Sequence, residues 1–413
     1  MPLALPLLAV AVFAMGTSEF MLAGLLPDIA TSLHVPVGTA GLLTSAFAIG
    51  MTVGAPLMAG LARRWPARSS LLTFVLVFAA AHVVGALISS FPVLLVTRVL
   101  ASLANAGFLA VALTTAATLV APDQKGRALA VLLSGTTVAI IAGVPGGAVL
   151  GALLDWRATF WAIVVLCLPA AIGVARGIPA GTNESGQDRA AGPALRTELA
   201  QLARPQLMLV MLLGASVNAA TFGTFTFLAP IVTGTAGLGE LWVPVVLVLF
   251  GLGSFLGVRI AGRVSDRRPG RLIAVAGTSA LLGWIALAVL AAHPIALLVL
   301  VLVQGTSSFA LGSTLIARVV HEASGAPTMS GSYATAALNV GAAGGPVIAA
   351  ATLPHLGERG PVWASAVLVA IALISALPLL RRRTGHPRRR AVGRRGPGAP
   401  RRTAPPPDRS HRR

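Results

Sequence analysis

Charge is what this 413-residue chain lacks. Only 10% of it is Asp, Glu, Lys or Arg and 56% is hydrophobic, whereas a soluble domain carries roughly 25% charged residues. That excludes an ordinary soluble protein and leaves one built for lipid. Acids are the scarcer sign, 12 Asp and Glu against 31 Lys and Arg. A single cysteine, Cys167, excludes an internal disulfide. The seven histidines, His34, His82, His293, His321, His355, His386 and His411, are scattered without metal-ligand spacing. A membrane enzyme needs clustered His, Asp or Glu at a water interface, so neither an enzyme nor a metal or other cofactor is expected.

What the chain does have is long apolar runs and 45 glycines, which suit close helix contacts in lipid. The runs predict twelve helices of about 20 residues, each able to cross a bilayer. They cover residues 5–26, 39–62, 70–89, 92–118, 127–152, 158–178, 206–230, 241–262, 271–291, 294–317, 328–352 and 360–380, here spans 1 to 12. The first run is too long for a cleaved signal peptide. The longest polar interruption divides the chain into an N-terminal bundle (1–178), a cytoplasmic linker (179–204), a C-terminal bundle (205–380) and a tail (381–413). The fold class expected is therefore an all-α membrane protein of two six-helix halves.

The net charge of +19 is misleading until it is located. Thirteen of the 31 cations lie in the Arg-, Pro- and Gly-rich tail, which reads as disordered and suited to anionic lipid head groups rather than to specific nucleic-acid binding. Of the rest, 14 fall in loops after even-numbered spans and two, Arg157 and Arg359, after odd-numbered ones. The positive-inside rule then predicts that both termini are cytoplasmic.

The halves also repeat. Pro27 corresponds to Pro230, and "RRWPAR" from Arg63 corresponds to "DRRPGR" from Asp266; both offsets are 203 (230 − 27 and 266 − 63). Two repeated bundles place a binding site at their interface near mid-membrane, reachable from either side by rocking. That is a transporter's architecture.

Few residues inside the spans carry chemistry. Glu19 is the one carboxylate well inside a span, and Arg98 and Arg259 are the cations so placed. Arg259 is close enough to a helix end to snorkel. Arg98 lies two turns into span 4, roughly 10 Å below the outer surface, at a depth that Glu19 reaches from the other side. A carboxyl balanced between apolar walls and an opposing guanidinium can hold a proton in one conformation and release it in another, which is what coupling to a proton gradient requires. The competing reading is a static hydrogen-bonding role for Glu19. Polar stripes predict a mostly neutral cavity: Arg98, Ser102 and Asn105 on span 4; Asn218, Thr221 and Phe225 on span 7; Gln304 and Ser308 on span 10; Ser332, Tyr333, Thr335 and Asn339 on span 11.

Motifs then point to a family. "GRVSDRRPGR" resembles the cytoplasmic loop signature of the major facilitator superfamily, and "TRVLASLANAG" its span 4 motif with an embedded arginine. "GTTVAIIAGVPGGAVLG" resembles the span 5 motif of the drug:proton antiporter branch, and "DWRATFW" the start of span 6. "GTSEFMLAGLLPDIA", "LTSAFAIGM" and "GSYATAALNVGAAGGP" look like the bacterial chloramphenicol resistance exporters. The resemblance implies the major facilitator fold, a monomer, and export of chloramphenicol or related phenicols in exchange for protons. It implies that Glu19 is the protonatable group, Arg98 its partner, and Asp28 part of the same network. Gly143, Pro145 and Gly147 would form the antiporter bend, and Asp266 and Arg267 a cytoplasmic gate. The first-half loop departs from the signature, with Arg63 at the aspartate position and Pro66 at the glycine. Export of a sugar or an amino acid, and a membrane anchor acting through the tail, are the alternative readings.

Overall fold

The computed structural model describes residues 4–61, 66–121, 124–178, 198, 200–265, 268–326 and 329–381. The expected cytoplasmic gate, Asp266 and Arg267, and most of the linker and tail lie outside these residues.

All twelve expected spans are helices. Among the described residues, ten stretches are long and apolar enough to cross a membrane, and an eleventh is a bent pair. The last of the ten, 47 residues from Ser330 to Ala376, is too long to cross once, since a bilayer takes about 20 residues. It is two helices, Ser330–Leu356 (span 11) and Gly360–Arg381 (span 12), which turn at Gly357 with φ +60°. Spans 4, 7, 9 and 10 each begin with proline in the first turn, where its missing N–H costs nothing.

Span 1 differs from the expected straight helix. Ala4–Phe20 and Leu22–Ser32 meet at Met21 with a bend of 54°, so it is longer than residues 5–26 and breaks immediately after Glu19. Pro27 cannot donate to the Ala23 carbonyl, and the turn ahead of it tightens, with Gly24 N–H donating to Met21 O at 3.1 Å. Span 7 repeats this. Pro205–Thr226 ends at Phe227, whose N–H donates to Thr224 O at 3.1 Å, ahead of Pro230. The same 203-residue offset joins Gly24 to Phe227 and Met21 to Thr224.

The glycines repeat as well. Gly50 and Gly54 of span 2 lie against Ser102, Leu103 and Ala106 of span 4, and Gly253 and Gly257 of span 8 lie against Leu302, Thr306 and Ala310 of span 10. At these positions a side chain would strike the neighbouring helix, so glycine sets the interhelical distance. Spans 5 and 8 touch where Gly251 packs on the Ile140 carbonyl and Ile141. At the cation-poor end of the bundle, Leu26, Ala30, Ala40, Phe227 and Ala349 form one buried cluster, with Val35, Val37, Ala350 and Leu353 around it. Both halves contribute to this plug. It closes that end.

Candidate coupling and substrate site

The bend of span 1 is where the chemistry gathers. Arg98 is 1% exposed and Ser18 fully buried. Arg98 Nη1 donates to Ser18 Oγ at 2.8 Å and Nη2 donates to the Ser18 carbonyl at 2.6 Å. That carbonyl would take the Leu22 N–H in an unbroken helix, so the guanidinium enters the hydrogen-bond ladder at the break. A side chain inserted there is a recognised cause of helix bending. The Arg98 guanidinium also lies 4.5 Å from the centre of the Phe47 ring.

Glu19 is partly buried on the same turn. Its carboxyl bonds the Asn105 side chain and lies in the field of Arg98. Asn105, expected among the residues lining a cavity, thus stands beside Glu19 and Arg98. Arg98, however, makes its close hydrogen bonds to Ser18 rather than to the carboxylate. Asp28 is elsewhere: nine residues further along span 1, about 13 Å at helical rise, with Glu240 and Asp155 as its charged neighbours.

Span 5 explains why the bend keeps its shape. Ala139–Gly143 is a π-helical turn between Lys125–Val138 and Val144–Leu153. Pro145 sits in the first turn of the latter helix, and the wider π turn accommodates its missing donor. Gly135 packs against Ala9, Val12 and Phe13, while Gly143 faces Phe13 and the Thr17 hydroxyl. Gly147 faces Thr159, whose hydroxyl donates to the Gly147 carbonyl at 2.7 Å. The glycines of the predicted antiporter bend thus seat span 5 on span 1 and span 6. Asp155 caps span 6 by accepting from Arg157 N at 2.7 Å, and Arg157 reaches Ser32 and Ser89 at 3.2 and 3.3 Å, tying spans 1, 3 and 6 together.

One residue beyond Glu19, Phe20 opens an aromatic row. Its ring lies 5.6 Å from Phe222 and 6.5 Å from Phe225; Phe225 lies 4.7 Å from Phe250, and Phe250 6.0 Å from Phe309. With Ile140 and Thr221 these rings enclose a cavity of about 10 Å³, room for about one water molecule. A drug-sized ligand needs roughly 300–1,000 Å³, far more than this apolar cage holds. Its walls come from spans 1 and 5 of the first half and spans 7, 8 and 10 of the second.

Of the residues expected to line a cavity, Phe225 and Thr221 do so. Asn218, Gln304, Asn339 and Tyr333 bond backbone carbonyls instead. Asn218 Nδ2 donates to the Leu338 carbonyl of span 11 at 2.7 Å. Gln304 is buried against Gly283, with Nε2 on the Ala280 carbonyl at 3.2 Å. Asn339 bonds Thr335 O in its own helix at 3.0 Å. Tyr333 stands in the first turn of span 11, where its hydroxyl donates to the carbonyl of Glu198 in the linker at 2.8 Å. Sequence reasoning missed Ser18, His82, Phe20, Phe222, Phe250 and Phe309. Phe222 was findable, being one turn from Phe225 in a chain with only 14 Phe.

The family model for the Major Facilitator Superfamily matches residues 8–337. A chloramphenicol resistance protein of Streptomyces lividans is 69% identical over 379 residues, covering 92% of this chain and 96% of that one. The inner membrane transport protein YdhP of Escherichia coli K12 is 33% identical over 378 residues, covering 89% and 94%. Among solved structures, a bacterial homologue of the human lysosomal transporter Spinster, in an inward-facing and unoccupied conformation, superposes with a TM-score of 0.71 at 19% identity, covering 92% of this chain and 96% of that one.

Proposed function

We propose that this chain, which belongs to the Major Facilitator Superfamily, exports chloramphenicol or a related small amphipathic drug across a bacterial cytoplasmic membrane in exchange for protons. The observation that carries the reading is the adjacency of Glu19 and Phe20 at the broken turn of span 1. One serves a proton and the other walls the apolar cage. Drug entering the cage must push Phe20 aside, and that displaces the turn holding Glu19, so cargo and proton compete for one element. The Streptomyces lividans relative supports a phenicol cargo.

With the cation-rich loops assigned to the cytoplasm by the positive-inside rule, the plugged end faces outside and this state is closed to the exterior. Alternating access follows if the plug of Leu26, Ala30, Ala40, Phe227 and Ala349 parts while the cation-rich ends of the halves close. Glu19 takes a proton from outside and gives it up to the cytoplasm. Exchanging a neutral drug for one proton moves charge inward, so membrane potential contributes about 2.3 kcal/mol per 100 mV beside the pH gradient. The protein works as a monomer in the bilayer, without cofactor or nucleic acid, and the tail is accessory.

A sugar or polar amino acid fits this site poorly. The amide nitrogens of Asn218, Gln304 and Asn339 donate to helix carbonyls, and the cage offers rings and one hydroxyl, Thr221, itself bonded to Val217 O. Glu19→Gln tests the proposal. Cells carrying it should accumulate chloramphenicol to the level of vector controls or of protonophore-treated cells, while the purified variant still binds the drug. Retained uphill export would refute proton coupling at Glu19.

A further inference from the structure

His82, on span 3 (Ala67–Leu87), has no part in the scheme above, yet it is 1% exposed and touches the coupling turn. Its Nδ1 lies 2.7 Å from the Phe78 carbonyl and its Nε2 lies 2.7 Å from Ser18 Oγ. A carbonyl only accepts, so Nδ1 carries the ring proton and Nε2 offers its lone pair. Ser18 must then donate its one hydroxyl proton to His82, which leaves the oxygen's lone pairs facing Arg98 Nη1 at 2.8 Å. The direction of every bond is fixed: Arg98 to Ser18, Ser18 to His82, His82 to Phe78. Packing holds the ring in place, with Phe78 and Phe160 centred 4.3 and 5.5 Å away.

We propose that His82 is a positioning residue for proton coupling: by accepting the Ser18 proton it keeps Arg98 docked on span 1 and off the Glu19 carboxylate. This rests on the coupling role assigned to Glu19. A protonated His82 would turn Nε2 into a donor, leave Ser18 facing two donors, and set a second cation beside Arg98, so the relay requires a neutral ring. The guanidinium has capacity to move. Its buried Nε has no hydrogen-bond partner among the described residues, and that donor is free for Glu19 once Ser18 lets go.

The charged and titratable groups around this turn are few. Span 1 itself carries Glu19 and, past the bend, Asp28. Span 3 brings His82 and, at its start, Arg68; span 4 brings Arg98. Span 5 has only Lys125 and Arg127 in its first turn, and span 6 carries Cys167 with Arg157 and Arg176 toward its ends. Spans 2 and 7 have none within their described helices. Arg98 is therefore the one cation from a neighbouring helix that bears on Glu19 at mid-span, and its docking controls the pH at which Glu19 exchanges its proton.

The test is drug–proton exchange by the full-length protein in liposomes, followed against pH. His82→Phe keeps a ring and deletes both nitrogens. With the Ser18 hydroxyl no longer held as an acceptor, the guanidinium keeps only its Nη2 bond to the Ser18 carbonyl; it leans further toward Glu19 and holds it ionised to lower pH, so the half-maximal pH should fall by about one unit. Ser18→Ala should move the profile the same way, and the double variant no further, because both break one chain. His82→Gln, which restores an acceptor near the Nε2 position, should return the profile to that of the parent. If the Phe variant fails to accumulate, Ser18→Ala carries the same expectation. A lower rate with an unmoved profile, or a His82→Gln variant as shifted as His82→Phe, would overturn the positioning role. Loss of exchange in both His82 variants would make the ring a proton carrier and overturn it as well. Failure of Glu19→Gln to uncouple export is a separate outcome, which refutes the coupling reading itself.

Discussion

Phe227 is the sharpest place to test how the cation-poor end is held shut. Its ring is fully buried among Leu26, Ala30, Ala40 and Ala349, and it lies so close to Gly41 that a Cβ there would stand 2.6 Å from the ring tip. Truncating such a ring to alanine costs about 3–5 kcal/mol in a water-soluble core. In lipid the transfer part of that cost shrinks, because hydrocarbon can replace what water would touch. A working figure is about 2–4 kcal/mol. The pocket draws on spans 1, 2, 7 and 11, so it exists only while the halves touch, and the whole cost falls on the closed state. Phe227→Ala should therefore shift the balance toward the open form by roughly 30- to 1,000-fold. The assay is labelling of Ala30→Cys, a residue 3% exposed in the plug, by a membrane-impermeant maleimide in intact cells. Cys167, the only native thiol, is replaced by alanine. Labelling should accelerate in the Phe227→Ala background. An unchanged rate, with thermal stability reduced in detergent, would show that Phe227 supports the fold in both states, and the latch argument would fail.

Other consequences follow from the same contacts. Gly143→Val should abolish transport while expression persists, since the new methyls meet the Thr17 hydroxyl and push span 5 off the coupling turn; overpacking of this kind costs about 1–3 kcal/mol, measurable as a lower melting temperature. Phe225→Ala should raise the KM for chloramphenicol more than it lowers the maximal rate, because the ring walls the cage and stacks between Phe20 and Phe250; direct transport kinetics would show it. Asp155→Ala, which removes the cap of span 6, should lower stability by about 1 kcal/mol and leave the pH profile of exchange where it was.

Much of this protein could be read without coordinates. Twelve apolar runs had to become helices, because a backbone in lipid must satisfy its own hydrogen bonds. Pro27 and Pro230, at one shared offset, marked the two halves as repeats, and Glu19 and Arg98 stood out because ionisable groups are so costly at that depth. None of these needed knowledge of a distant partner.

The partners themselves were decided only in three dimensions. In helices apolar on every side, an amide facing a cavity and an amide facing a neighbouring carbonyl look the same along the chain. That is why Asn218 and Gln304, expected in a cavity, bind helix backbones instead, and why Tyr333 engages the linker. It is also why His82, one scattered histidine among seven, gave no sign of meeting Ser18, 64 residues away. Composition and periodicity set which segments cross the membrane and where they bend. The rotation of each helix about its own axis, fixed by glycine contacts and ring packing between segments far apart in sequence, set which polar groups meet.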